Sequence, residues 1–480
     1  MRNKVAVKER SVIVAVFLFA VALVAIYIKD INPIISGDAT SIWNYIISMD
    51  TDNPVGSYVL YKGILSVYPY RWFYQWAMML NLPDFFFIKM YHCLLFAYIS
   101  VIGLPNIYIQ IRKKPVTKWR RLLLMILCFG FWRSTFALSQ LMVDLPSAAV
   151  FIAGVSVSLT IFKGNSRYLE LRFFELALLC GVGLCFSGQY SLSTLMVIIY
   201  SVLSFQKNRK NERQLVSNGT IVLTCILFAI PIITNQYYFA TTIRKLIENG
   251  AWIPEGSLWV MRALTLMMGQ YSYFNPIGVL SCTRGVAVLT DFAGSDYANS
   301  IIQQVSSNYL SIVEVLQMWF THLPDMLVIW FGRLFLLLSP DNGAQSIPYL
   351  IAFYTAIFTC LMQIKEKIIR IGDLLHLDTM IFCSVLLTAL VPCAMGVEMR
   401  FALSIQGFIL AFSVLDDKLW RGIKKRVVGL KRGVHSGLQC IQIDYSVVTY
   451  VAFILMCFMI FGLLHELEMG DRAVLFSFTL

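Results

Sequence analysis

Apolar runs, each near the length of about 20 residues that a helix needs to cross a bilayer, recur through almost the whole chain. The first covers residues 11–28, behind Arg2, Lys4, Lys8 and Arg10. Ten more fall at 85–109, 122–140, 142–162, 172–190, 192–206, 216–234, 347–364, 378–397, 401–415 and 446–464. Of the 480 residues, 58% are hydrophobic and 14% charged. A soluble domain carries about 45–50% apolar and about 25% charged residues. One buried core cannot absorb that excess. The balance excludes a soluble globular enzyme, a disordered chain and a secreted disulfide scaffold. The expected fold is an all-α polytopic membrane protein, residues 1–480 forming one integral-membrane unit of about eleven transmembrane helices.

The first run resembles a signal peptide, but no small-residue cleavage site follows it. Lys29-Asp30-Ile31-Asn32-Pro33 closes it instead. The expectation is an uncleaved span with a cytoplasmic N-terminus. Alternating the spans from there places 1–10, 112–121, 163–172, 207–213, 365–370 and 418–432 inside. These segments hold 27 of the 39 Lys and Arg. Cytoplasmic loops of membrane proteins concentrate those residues, so the net charge of +12 follows from topology and needs no nucleic-acid partner. The basic loop 418–444 and RKKPVTKWRR (112–121) read as topology and lipid-headgroup anchors. Two loops on the outer side are long, 29–84 and 235–346. Both carry amphipathic stretches, at 39–49, 58–80, 257–268 and 310–338, expected to lie as interfacial helices.

No H-E-x-x-H, Walker A, G-x-S-x-G or C-x-x-C pattern occurs, which removes the commonest metal, nucleotide and nucleophile signatures. The five histidines, His92, His322, His376, His435 and His465, lie far apart. Cysteines such as Cys128, Cys180, Cys185, Cys360 and Cys457 sit in apolar runs and read as small buried hydrophobes. Gly181-Val182-Gly183 lies within a span and reads as helix packing. Asn218-Gly219-Thr220 matches a glycosylation acceptor but falls at a cytoplasmic helix end.

Charges near the membrane are costly and often mark function. Asp38 follows the first span in Ser36-Gly37-Asp38-Ala39-Thr40. Asp144 lies in Ser139-Gln140-Leu141-Met142-Val143-Asp144-Leu145-Pro146, expected to be a tight outer hairpin. Either acid can be a simple helix N-cap. Together they put two carboxylates on one face. The cations expected on that side are Arg71, Arg133, Arg333 and Arg400. Arg133 falls within the third span and is expected to face the protein interior. Arg400 follows Glu398 in Gly396-Val397-Glu398-Met399-Arg400-Phe401. It can pair with Glu398 or reach a lipid phosphate.

These features resemble the GT-C superfamily of integral-membrane glycosyltransferases. Members carry an acid just after the first span, helices parallel to the membrane in the first outer loop, and a second acid at the outer start of the fourth span. Asp38 and Asp144 stand at those positions, and the long outer loop before the later spans fits as well. Glu398-Met399-Arg400-Phe401-Ala402-Leu403 is similar to a late E-x-R-Y-x-L pattern, with Phe401 for the usual Tyr. Asp38 stands alone where members usually carry an Asp-Glu or Asp-x-Asp group.

The resemblance implies sugar transfer from a polyprenyl-phosphate-linked donor to a glycan or lipid acceptor outside the cytoplasm, in a cell membrane. Asp38 would be the general base. Arg400, with Glu398 beside it, Arg333 and Arg133 would bind the donor phosphate side. Asp144 would position acceptor, donor or a divalent cation shared with Asp38; no other cofactor is implied. Trp43, Tyr45, Tyr58 and Tyr61 would line a sugar groove or form an interfacial aromatic belt. A polysaccharide polymerase or O-antigen-ligase-like enzyme is a near alternative. A flippase or transporter of lipid-linked oligosaccharide is the alternative from another class, with polar groups at the midplane.

The topology is testable by labelling. In a variant freed of native cysteines, Lys118→Cys and Lys424→Cys are expected to react only after the membrane is permeabilised. Labelling of either from outside overturns the arrangement.

Overall fold

The structure, a computed structural model, describes residues 2–34, 37–49, 64–133, 137–163, 168–186, 188–210, 216–248, 317, 320–321, 323–338, 347–368, 377–395, 399–415 and 448–460. Among them there is no strand. Residues 257–268, expected as an interfacial helix, and the basic loop 418–444 lie outside the described residues. Among the described residues, fourteen helices carry the fold. They are α1 (Arg2–Ile28), α2 (Gly37–Ser48), α3 (Tyr68–Met79), α4 (Phe86–Arg112), α5 (Lys118–Trp132), α6 (Asp144–Lys163) and α7 (Leu169–Cys185). Then come α8 (Gly188–Lys210), α9 (Asn218–Glu248), α10 (Leu323–Leu338), α11 (Ile347–Ile368), α12 (Leu377–Met395), α13 (Leu403–Val414) and α14 (Val448–Ile460).

Four stretches are long and apolar enough to cross a membrane: Ser11–Ile28, Phe86–Arg112, Asp144–Phe162 and Asn218–Thr242. Leu350–Leu361, Met380–Cys393, Leu403–Val414 and Val448–Ile460 are shorter apolar helices. Burial separates centre from rim. The Asp144–Phe162 stretch is 83% buried, whereas Ser11–Ile28 and Asn218–Thr242 are 22% and 17% buried. The rim helices expose Leu18, Ile26, Ile226 and Ile233. Water would oppose that much exposed aliphatic surface at about 25 cal/mol per Å²; lipid tails do not. This is a membrane protein with α6 at its centre, packed against α4, α7, α8 and α13.

Between apolar helices in lipid, close packing and hydrogen bonds replace the hydrophobic drive. At Gly181 an added Cβ would stand 2.5 Å from the Phe228 carbonyl oxygen, so α7 and α9 meet almost backbone to backbone. At Gly183 it would meet Thr194 Oγ1 at 2.8 Å, on α8. The Gly-Val-Gly stretch is therefore a packing element. Gly407 on α13 leaves room for the fully buried Trp132 ring, 3.0 Å from where a Cβ would be. The described cysteines are all free, and Cys128, Cys180, Cys185, Cys360 and Cys457 are buried.

A π-helical turn, Tyr98–Gly103, interrupts α4 just before Pro105. Proline has no N–H, so the helix cannot supply the Val101 carbonyl with its usual donor. Arg121 Nη1 on α5 donates to that oxygen at 2.8 Å, from a side chain only 6% exposed. A helix defect and a buried cation thus satisfy one another.

Two expectations are corrected. Within the run 122–140 the α-helix ends at Trp132, Arg133 is in a 3-10 turn, and the described residues Ala137–Val143 form buried turns and bends. Arg133 consequently caps the end of α5 and is exposed, instead of facing the interior. Its carbonyl oxygen accepts the Tyr27 hydroxyl at 2.8 Å.

Gly181→Ala is expected to lower thermal stability in detergent by about 1–3 kcal/mol, the usual cost of overpacking. Gly154→Ala, with nothing within 4 Å of the new Cβ, is expected to be neutral or stabilising. Equal effects at the two sites would show that the α7–α9 approach is looser than described.

Candidate functional site

The site is built at the end of the bundle where α6 begins. Two short helices lie there. In α2 the residues Ala39, Ile42, Tyr45 and Ile46 are buried, a spacing that makes one face. In α3, Pro69 fits the first helical turn, where its missing N–H costs nothing. Asn81 ends it with φ 51°, and Leu82 N–H donates to Ala77 O at 2.9 Å, a left-handed C-terminal cap that asparagine tolerates. Arg71 Nη1 donates to Ile46 O at 2.9 Å and ties α3 to α2. Tyr70 and Ala77 are buried, while Trp72, Trp76, Met78 and Met79 remain exposed. An aromatic and thioether face of this kind suits the interfacial zone of a bilayer.

Beneath these helices runs Ala137–Val143, buried throughout. Having left the helix, its backbone needs other partners, and side chains provide them. Tyr70 Oη donates to Met142 O at 2.6 Å and lies 2.9 Å from His92 Nε2. His92 Nδ1 donates to Leu138 O at 3.2 Å. Leu141 N–H donates to Pro33 O, in the segment after α1, at 2.8 Å. Ser147 Oγ and N–H both donate to Val143 O and start α6.

Asp144, in the first turn of α6, is 1% exposed. A carboxylate at a helix N-terminus is favoured by the aligned peptide dipoles. Burial holds the Tyr70 phenol well above its ordinary pKa, and neighbouring Tyr91 and Asp144 add to that effect. Tyr70 is therefore a permanent donor within electrostatic reach of Asp144. Gln140, four residues earlier, is 3% exposed, and its Oε1 is buried with no hydrogen-bond partner among the described residues.

Asp38 is the second residue of α2; its side chain lies outside the described residues. Its neighbour Ala39 shares one apolar cluster with Leu141 and Val143, the residues leading into Asp144. The two acid positions thus belong to the same end of the bundle. Arg333 lies on α10, which packs against the 3-10 turn Met399–Ala402 carrying Arg400. That turn also touches α6. The side chains of Arg333 and Arg400, and all of Glu398, Tyr58 and Tyr61, lie outside the described residues. Tyr45 is core, not groove: it is 2% exposed, with Oη 2.9 Å from Thr242 Oγ1. Trp43 packs edge-on against Tyr74, ring centroids 5.1 Å apart. Among the described residues, no group of three or more His, Cys, Asp or Glu side chains is arranged to hold a metal ion.

Sequence reasoning missed Tyr70, His92 and Gln140. A lone histidine within an apolar run is the only signal that marked any of them. Compared with family models, curated proteins and solved structures, the chain matches none.

Gln140→Leu tests how this amide is held. Removing a buried acceptor without a partner is expected to stabilise the protein by about 1–3 kcal/mol. A fall in thermal stability would mean that the amide is held by the protein itself.

Proposed function

We propose that the chain is an integral-membrane glycosyltransferase of the GT-C kind. It would transfer a sugar from a polyprenyl-phosphate donor to a glycan or lipid acceptor on the outer face of a cell membrane. One observation carries the reading: the helix start bearing Asp38 and the buried Asp144 belong to the same end of the bundle, under short amphipathic helices. On this reading eleven helices cross the bilayer from a cytoplasmic N-terminus. The four long apolar helices and the four shorter ones support that layout.

In the reaction, the Asp38 carboxylate takes the proton of an acceptor hydroxyl as its oxygen attacks the anomeric carbon. The bond from that carbon to the donor phosphate oxygen breaks, and the phosphate leaves with its electron pair. Arg400 and Arg333 would meet its charge, with Glu398 and Arg133 at the periphery of the donor site. Asp144 would orient a substrate hydroxyl or, together with Asp38, would hold a divalent cation that neutralises charge on the donor.

A polymerase or ligase using arginines is the second reading, favoured by the packing of the Arg333 helix on the Arg400 turn. A lipid-linked-oligosaccharide flippase draws on the buried hydroxyls between helices. Of these, the Ser158–Ser201 and Ser404–Tyr190 contacts, at 2.9 and 3.1 Å, serve helix packing.

Asp38→Asn keeps the capping ability of the residue but removes proton acceptance, which typically costs about 10²–10⁴ in rate. It is expected to leave protein level and thermal stability unchanged while surface-glycan modification collapses to that of a deletion strain. Arg400→Lys, which loses the bidentate fork, is expected to weaken donor use with little effect on folding. A well-expressed Asp38→Asn variant with full activity would overturn the assignment and favour the arginine-based reading.

A further inference from the structure

We propose that Tyr70 and His92 are positioning residues, which set the place of Asp144 by holding the carbonyl groups of the segment that leads into it. The role given to Asp144 rests on the glycosyltransferase reading; the hold on the segment does not.

The geometry is that of a clamp. Tyr70 comes from α3 and His92 from α4, and both are buried, at 0% and 2% exposed. Tyr70 grips Met142 O, two residues before Asp144, and His92 grips Leu138 O. The two side chains meet at 2.9 Å. A helical course through 137–143 would give Leu138 O the Met142 N–H, whereas Met142 O would face Pro146, which has no N–H, and needs a side-chain donor on either course. The irregular course requires donors, and an apolar surrounding makes each missing one expensive. A phenylalanine and a leucine would fill the same space more cheaply if packing were all that mattered.

Proton counting defines the pair further. A carbonyl only accepts, so Nδ1 of a neutral His92 carries the ring proton to Leu138 O, and Nε2 is bare. The single Tyr70 proton is then shared between Nε2 and Met142 O. Asparagine places an amide N–H near the Nδ1 position. His92→Asn therefore keeps the grip on Leu138 O and releases the whole Tyr70 proton to Met142 O. His92→Leu removes one grip outright.

Two measurements on the full-length protein in membranes or detergent test the proposal. In hydrogen exchange, Tyr70→Phe and His92→Leu are expected to speed exchange of the peptide over 137–144 and leave that over 188–210 unchanged. His92→Asn is expected to resemble wild type. Unchanged exchange at 137–144, or a rise spread over the whole bundle, would overturn the clamp. In sugar transfer from a polyprenyl-phosphate donor, Tyr70→Phe is expected to lose about ten- to hundredfold, the scale of a displaced catalytic group. The same change in an Asp144→Asn background is expected to cost less than about twofold, because contacts acting through one residue are not additive. Equal losses in both backgrounds would make Tyr70 independent of Asp144 and overturn its positioning role. Faster exchange at 137–144 in a protein with no transfer activity would keep the clamp and discard the transferase reading.

Discussion

Every backbone polar group taken out of water must find a partner, and away from water a missing one costs several kcal/mol. Helices meet that demand internally. At two places among the described residues where this chain departs from a regular α-helix inside the bundle, specific side chains take over. Arg121 supplies the donor that Pro105 lacks, at Val101 O. Tyr70 and His92 supply donors to Met142 O and Leu138 O. Pro33 O accepts the Leu141 N–H and joins the segment after α1 to the same place. The irregular segment is thereby tied by α3, α4 and the first loop at once, so its shape is a property of the whole end of the bundle.

The rest of the packing gives that end a firm base. The helix that begins at Asp144 is the most enclosed of the four long apolar helices. Its neighbours approach closely because small residues stand where bulk would intrude, as at Gly103 against Ile152. Dense contacts of this sort resist deformation. A group at the start of such a helix keeps its place while the short helices packed over it present their own apolar surface outward. Those helices do the opposite work. They bury Tyr45, Ile46 and Tyr70 and leave Trp72 and Trp76 outward, which suits a layer between bundle and bilayer surface.

The apolar runs made the long helices readable, and so did the amphipathic spacing of Ala39, Ile42 and Ile46 and the pair Gly181 and Gly183. Each depends on local pattern. The hairpin before Asp144 was readable around Ser139–Pro146, but the early end of α5 at Trp132 and the irregular course already at Ala137 and Leu138 were not. Phe136-Ala137-Leu138-Ser139-Gln140-Leu141-Met142-Val143 has the composition of a continuing span. Partners distant in sequence, at 33, 70 and 92, tie the irregular course in place. For the same reason Arg133 looked internal, since its place depends on where the helix stops. Of the site, the two acids were visible as charges beside spans. Tyr70 was hidden among other aromatics, and His92 had no partner within reach along the chain.

The two acids differ in a way that bears on their division of labour. Asp144 is buried, opens a long helix and follows a clamped segment. Water cannot solvate it freely, so its carboxyl group depends on the helix start and on fixed neighbours. Such a carboxylate suits orientation, where rigidity matters more than proton exchange. The Asp38 position is the second residue of a short helix at the same end. A base must meet a substrate hydroxyl and afterwards release its proton, a task for which a carboxylate sealed at the start of a long buried helix is poorly suited. If one acid holds and the other reacts, exchanging aspartate for asparagine at each should injure different kinetic steps. The arrangement of the fold thus predicts unequal roles for two residues that the sequence presents as a pair.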